Sequence, residues 1–117
     1  MLQNDFYTAH DLQYGDQAIT CRIVFNAAHD IFRGHFPQQP VVPGVCMMQI
    51  VKELLMQRTG RPLMLREAAQ VKFLRLMLPD TQAEVAITWK EENDVLHTGT
   101  VFKAGETALF RMSAVFA

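Results

Sequence analysis

The segment that decides the fold spans residues 43–60 and reads Pro-Gly-Val-Cys-Met-Met-Gln-Ile-Val-Lys-Glu-Leu-Leu-Met-Gln-Arg-Thr-Gly. Its length and composition predict one helix from Pro43 to Arg58. Pro43 suits the first position of a helix, and Gly60 followed by Pro62 predicts its end. The polar residues of this helix fall within one arc: Gln49, Lys52, Glu53 and Gln57. A helix that is apolar on most sides is enclosed by the rest of the fold, so we expect it at the centre.

Strand-like segments lie on both sides of this helix. Before it, residues 17–27 alternate, with Cys21, Ile23 and Phe25 on one face, which predicts a half-buried strand. After it come four strand-like runs separated by turn residues, at about 64–78, 82–91, 95–104 and 107–116. Their short connections predict that consecutive strands are antiparallel neighbours. The expected fold class is therefore α+β, a long central helix wrapped by an antiparallel β-sheet.

The length and composition of the chain limit the classes of protein to which it can belong. A chain of 117 residues suits a single domain over residues 1–117, and 50% hydrophobic residues suffice for a core. A net charge of −1 without a basic block argues against nucleic acid as a partner. No long apolar run or signal-like N-terminus is present, which predicts a cytoplasmic protein without a membrane span. Cys21 and Cys46 are expected to be buried free thiols, and no metal-ligand spacing is seen.

The loop before the helix carries the candidate chemistry. Residues 35–45 read His-Phe-Pro-Gln-Gln-Pro-Val-Val-Pro-Gly-Val, in which three prolines restrict the backbone. We expect a rigid loop that presents the imidazole of His35 near the unpaired backbone N–H groups of the helix start. Such N–H groups stabilise negative charge that develops on an oxygen atom. A base beside such an oxyanion site is typical of an enzyme.

These residues also resemble a known family. The pattern Phe32-x-Gly34-His35-Phe36-Pro37-x-x-Pro40-Val41-x-Pro43-Gly44-Val45 resembles the hot-dog-fold 3-hydroxyacyl-acyl-carrier-protein dehydratases of fatty acid synthesis. A second block at residues 71–80, Val-Lys-Phe-Leu-Arg-Leu-Met-Leu-Pro-Asp, is similar to the strand that follows in that family, although the glycine of the family's Pro-Gly-Asp turn is absent. The order of elements fits over about residues 15–117.

The resemblance implies a fold, an assembly and a reaction. In the family two subunits pair so that their sheets are continuous, and the active sites lie at the interface. The reaction is loss of water from a (3R)-3-hydroxyacyl chain on acyl carrier protein, which gives the trans-2-enoyl product without a cofactor. The expected partners are thus acyl carrier protein and a second subunit, in a homodimer or higher oligomer.

The resemblance also implies roles for individual residues. His35 matches the catalytic histidine, which takes the proton from the carbon next to the thioester. The N–H groups of Gly44 and Val45 match those that polarise the thioester carbonyl. The expected substrate-binding residues are Val45, Phe36, Pro43 and Phe73.

One position departs from the family. Where the family has a glutamate or aspartate that binds and protonates the departing hydroxyl, this chain has Gln49. Glutamine can hold a hydroxyl group but cannot donate a proton at neutral pH, and a general acid is worth about 10² to 10⁴ in rate. Glu53, one helical turn further on, is a possible compensating acid. Alternatively, the chain forms a heterodimer with a related, Glu-bearing subunit, or has lost catalysis and kept acyl binding.

Two other functions stay open on the sequence alone. Hot-dog thioesterases use a helix-borne carboxylate or amide to position water, which would suit Gln49. They usually lack the His-Phe-Pro and Pro-Gly loop. The other alternative is a catalytically weak acyl-binding or partner subunit. We expect a dehydratase in which His35, Gly44 and Gln49 form the catalytic site.

Overall fold

The computed structural model describes residues 1–34 and 38–117. Its elements in chain order are β1 (Tyr7–Gly15), β2 (Ala18–Phe25), α1 (Asp30–Gly34), α2 (Gly44–Thr59), β3 (Leu65–Phe73), β4 (Gln82–Glu92), β5 (Val95–Ala104) and β6 (Thr107–Phe116). The strands form one sheet in the order β1-β2-β4-β5-β6-β3, and neighbouring strands are antiparallel. The predicted α+β class is confirmed.

The central helix α2 begins and ends one residue later than the sequence predicts, at Gly44 and Thr59. Pro43 occupies the N-cap position with an extended backbone (φ −64°, ψ 144°), so the helix begins at Gly44. At the other end, Gly60 has the left-handed φ of +72°, and its N–H donates to the carbonyl oxygen of Met56. Glycine adopts this conformation without the steric cost that a side chain would add, which stops the helix here.

The core lies between α2 and one face of the sheet. Cys21, Ile23 and Phe25 of β2 are buried as their alternation predicts. On α2, four apolar side chains are at most 1% exposed: Ile50, Val51, Leu54 and Leu55. Burial of each such side chain contributes about 1.5–3 kcal/mol, so the apolar faces hold the helix within the sheet. A sheet wrapped around one long helix is the hot-dog fold.

The position of β3 differs from the prediction. Consecutive strands were expected to be neighbours, but β3 pairs with β6 at an edge of the sheet and not with β4. The strand predicted over residues 64–78 ends at Phe73, and residues 74–81 lead across β6 and β5 to β4. The N–H groups of Leu74 and Arg75 donate to the carbonyl oxygen of Leu109 on this path. An irregular segment of this length can span three strand spacings, so the short-connection rule does not hold here.

Two elements were not predicted. Strand β1 lies at the other edge of the sheet, and apart from Tyr7 and Ala9 its side chains are exposed, so the alternation that marks a half-buried strand is missing. The short helix α1 precedes the proline-rich loop. Within the described residues, no helix is both long and apolar enough to cross a lipid bilayer.

Candidate functional site

The start of α2 presents two backbone N–H groups that the helix itself does not use. The carbonyl oxygen of Pro43 accepts hydrogen bonds from the N–H groups of Cys46 (3.0 Å) and Met47 (3.3 Å). The N–H groups of Gly44 and Val45 precede these and have no partner within a helix. Among the described residues, no side chain caps this end of α2. These are the two N–H groups that the sequence predicts to polarise a carbonyl oxygen, and the helix dipole adds partial positive charge there.

The loop that leads into this helix start is held in place. The N–H of Val42 donates to the carbonyl oxygen of Met77 at 2.7 Å, and the side chains of Val41 and Val42 are buried. A backbone hydrogen bond and two buried side chains fix where the chain enters α2. The N–H groups of the first turn therefore have a defined direction, which an oxyanion site requires.

Glycine at position 44 permits an aromatic ring to lie against the helix start. A Cβ atom at Gly44 would lie 2.6 Å from two ring atoms of Phe73, closer than real Cβ contacts come. The ring of Phe73 also packs against that of Phe110, with centroids 5.3 Å apart, and stays 57% exposed. The structure thus places the ring of Phe73 beside Gly44 at the start of α2.

A shallow groove continues from the helix start along α2. It has a volume of about 300 Å³ and is lined by Val45, Met48, Gln49, Lys52, Met64, Leu65 and Phe116. Val45 is 74% exposed, although the sequence pattern grouped it with the enclosed apolar residues of the helix. Val45 and Gln49 therefore line one surface between α2 and the edge strand β3.

Glu53 has an environment that the sequence did not predict. It was placed on a polar stripe of the helix, but it is 0% exposed. Its Oε2 accepts hydrogen bonds from the N–H of Leu2 (2.8 Å) and from Nε2 of Gln49 (2.9 Å). Its Oε1 accepts from the N–H of Gln3 (2.9 Å) and the hydroxyl of Tyr7 (3.1 Å). Both oxygens are occupied by donors, so the structure argues against Glu53 as the compensating acid.

Tyr7 and the N-terminal segment are contributors that sequence reasoning missed. Burial, and after it the charge of Glu53, raises the pKa of the Tyr7 hydroxyl far above its ordinary value. Tyr7 therefore stays protonated and serves as a donor to the carboxylate. The remaining donors are main-chain N–H groups at residues 2 and 3, which no sequence motif marks.

The two cysteines are buried free thiols, as predicted. Burial raises the pKa of Cys21 to about 11 and also raises the pKa of Cys46. Cys46 lies in the first turn of α2, but a thiol with a raised pKa is mostly protonated at neutral pH and is a poor nucleophile. In the described part of the chain, no three His, Cys, Asp or Glu side chains are arranged to hold a metal ion.

The predicted base and its neighbours, His35, Phe36 and Pro37, lie outside the described residues. Within the described part, the structure brings Gly44, Val45 and Phe73 together at the helix start, with Pro43 at the N-cap. Gln49 lies along the same groove, while Glu53 is buried behind it. The arrangement can hold a carbonyl oxygen at the helix start and a polar group near Gln49.

The sheet wrapped around α2 defines a protein of the hot-dog fold. The model of the ApeI-like family, described as ApeI dehydratase, matches residues 11–109, and the chain belongs to this family. A comparison with curated proteins gave no match.

Solved structures agree on the fold. The dehydratase heterocomplex ApeI:P from Xenorhabdus doucetiae superimposes with a TM-score of 0.79 and 22% identity, covering 93% of this chain and 96% of that chain. An uncharacterized protein from Erwinia carotovora subsp. atroseptica gives 0.64 and 19%, with coverage of 94% and 92%. The HP0420 homologue from Helicobacter felis gives 0.67 and 10%, with coverage of 92% and 85%.

Proposed function

We propose that this protein is a dehydratase that acts on (3R)-3-hydroxyacyl thioesters of acyl carrier protein, in fatty acid or related lipid biosynthesis. Membership of the ApeI-like dehydratase family supports the reaction class. The observation that carries the proposal is the helix start, where the N–H groups of Gly44 and Val45 are left open beside a groove that Gln49 lines. This geometry suits a thioester oxygen at one point and a hydroxyl group at another.

The proposed reaction assigns one role to each residue. His35 takes a proton from C2, and the N–H groups of Gly44 and Val45 stabilise the negative charge on the thioester oxygen. The electron pair of the broken C–H bond forms the C2=C3 double bond, and the C3–O bond breaks. Gln49 holds the departing hydroxyl, while Phe36, Pro43 and Phe73 border the substrate. Because Gln49 cannot donate a proton, the leaving oxygen takes its proton from the imidazolium of His35 or from a partner subunit.

The edge strand β3 supports pairing with a second subunit. Exposed apolar side chains lie at the two ends of β3 and in the segment that follows it: Met64, Leu65, Phe73, Leu74, Leu76 and Leu78. An edge strand also presents unpaired N–H and C=O groups to any strand that docks on it. The groove with Gln49 lies directly between this strand and α2. A partner on the β3 edge would close that groove, so each site would draw on two chains.

The partner is either a second copy of this chain or a related subunit with a carboxylate where this chain has Gln49. The similar structure from Xenorhabdus doucetiae is a dehydratase heterocomplex, which supports the second arrangement. In a heterodimer the related subunit would supply the proton that Gln49 cannot.

Exposed basic residues near β3 support docking of an acidic carrier protein. Arg61 is engaged, since it contacts Glu91 and donates to the carbonyl oxygen of Asp94. Arg66 and Arg75 are exposed, and within the described residues neither forms an ion pair. Charge complementarity of this kind speeds encounter more than it adds affinity.

Product analysis tests the function against its alternative. A 3-hydroxyacyl thioester is incubated with the protein, alone and with a candidate partner subunit. Dehydration gives the absorbance of the enoyl thioester, whereas a hot-dog thioesterase releases free thiol. We expect enoyl product that is lost in His35→Ala. Free thiol without enoyl product would contradict the proposal, and tight acyl-carrier binding without any turnover would indicate an acyl-binding subunit.

A further inference from the structure

The buried carboxylate of Glu53 accepts hydrogen bonds from two backbone N–H groups, which can only donate, and from the hydroxyl of Tyr7. The N–H groups of Leu2 and Gln3 have no acceptor atom, and the raised pKa of the Tyr7 hydroxyl keeps its proton in place. These donors come from one N-terminal segment, residues 2–7, which closes over the carboxylate. A charged group is stable when buried only if its oxygens are satisfied in this way.

The fourth contact sets the orientation of Gln49. An ionised carboxylate accepts hydrogen bonds and donates none, so the end of the Gln49 amide that faces Oε2 of Glu53 at 2.9 Å is the NH₂ group. The carbonyl oxygen of the same amide is then the end left for the groove. Among the described residues, the Gln49 side chain has no other hydrogen-bond partner. The glutamine is therefore held with its acceptor, not its donor, available to a ligand.

We infer that Glu53 is a positioning residue that holds the Gln49 oxygen towards the groove, so that the site selects acyl chains with a hydrogen-bond donor on C3. This inference rests on the proposed function and adds a specificity to it. A 3-hydroxyl group donates to the Gln49 oxygen, whereas a 3-keto oxygen or a saturated C3 cannot. The N-terminal segment takes part because it fixes the carboxylate that fixes the amide.

A purely structural carboxylate would need no contact with Gln49. The N-terminal segment alone supplies donors to both oxygens of Glu53. The added contact joins the carboxylate to the one polar helix residue, apart from Lys52, that lines the groove. Loss of the carboxylate should therefore change which ligands bind, beyond any effect on stability.

The test compares two ligands that differ only at C3. The probes are the pantetheine amides of 3-hydroxyoctanoate and octanoate, in which an amide replaces the thioester so that neither elimination nor hydrolysis occurs. Their affinities are measured by calorimetry for the full chain in the oligomeric state in which it is purified. The variant is Glu53→Gln, and Glu106→Gln, an exposed glutamate in the β5–β6 turn, is the matched control.

We expect the wild type and the control to prefer the hydroxylated probe by about tenfold, the scale of one neutral hydrogen bond. In Glu53→Gln the two probes should bind about equally well, while the affinity for the octanoyl probe changes less than twofold. An unchanged preference overturns the inference. Equal weakening of both probes also overturns it, because that is the result of a structural role alone.

A second measurement depends neither on the folding of Glu53→Gln nor on the binding of a ligand. The side-chain amide protons of Gln49, assigned by their loss in Gln49→Met, are observed by NMR in the wild type. We expect slow exchange and a downfield shift compared with the exposed Gln13. Exchange as fast as that of Gln13 overturns the inference. If neither probe binds and no enoyl product forms, the proposed function fails, while the amide spectrum still decides how Gln49 is held.

Discussion

The substitution Gln49→Glu introduces the acid that the sequence resemblance implies at this position, and the structure predicts its effect on stability. In the wild type, Nε2 of Gln49 donates to Oε2 of Glu53 over 2.9 Å. The substitution replaces this donor with a second carboxylate oxygen, so two acceptors face each other. Glu53 is 0% exposed and Gln49 is partly buried, so water screens the pair only in part. The carboxylate introduced at position 49 would therefore face the carboxylate of Glu53.

The magnitude follows from the distance. Two unit charges 2.9 Å apart repel by about 6 kcal/mol at an effective dielectric constant of about 20. The pair avoids this cost by sharing one proton, which raises the pKa of one carboxyl of the variant above the ordinary value of about 4.3. A pKa raised in the folded state means stability that is present at low pH and lost as pH rises through the raised value. The slope is at most about 1.4 kcal/mol per pH unit.

The same shared proton bears on activity. At neutral pH the pair keeps a proton beside the groove, which is what a general acid needs. We expect Gln49→Glu to raise the rate of enoyl thioester hydration by about 10² to 10⁴ while it destabilises the protein at higher pH. Faster turnover and lower stability should thus appear together in one variant.

The assay is urea unfolding between pH 5 and 8. The stability gap between wild type and Gln49→Glu should widen with pH. The exchange variant Gln49→Glu/Glu53→Gln again has one amide and one carboxylate, so its stability difference from wild type should be independent of pH. That difference should be about 1–3 kcal/mol, because an amide replaces a buried acceptor. Gln13→Glu, on the exposed β1 strand, should show no gap. A gap for Gln49→Glu that does not change with pH would refute the contact with Glu53.

Three further predictions concern other parts of the site. Gly44→Ala should lower the free energy of unfolding by about 1–3 kcal/mol because its Cβ meets the ring of Phe73. The added substitution Phe73→Leu should remove much of this loss. Equal losses in thermal unfolding with and without Phe73→Leu would contradict the close contact. Tyr7→Phe should lower the free energy of unfolding by about 1.5–3 kcal/mol, since a hydrogen bond to a charged group is lost, and urea titration that shows no change would argue against the bond to Glu53. If the chain pairs through this surface as proposed, Leu76→Asp, at a side chain 64% exposed, should lower the fraction of oligomer without unfolding the chain. Sedimentation that shows the same oligomer in wild type and variant would contradict a role for Leu76 in the pairing.

Elements with one buried face could be predicted from the sequence. The alternation of Cys21, Ile23 and Phe25 reflects a strand with one side on the core, and the structure buries all three. The end of the helix at Gly60 could also be predicted, because a glycine that can adopt a left-handed conformation, followed shortly by a proline, is a common helix stop. In both cases the decisive interactions lie within a few residues along the chain.

What could not be predicted depends on residues far apart in sequence. The close approach of the Phe73 ring to Gly44 joins two elements, and a helix-start motif does not reveal it. The burial of Glu53 depends on backbone N–H groups of the N-terminal segment, and backbone groups carry no sequence signal. Strand β3 was placed beside β4 because turn residues suggested a hairpin, whereas its true neighbour β6 is the last strand of the chain.

The bare edge of β3 has a consequence for how the protein is made. An edge strand with open hydrogen-bonding groups, followed by a segment with exposed leucines, is a template for self-association whenever nothing covers it. If a second subunit covers this edge as proposed, copies synthesised in excess of that subunit would aggregate. The yield of soluble protein would then depend on expressing the two chains together in equal amounts.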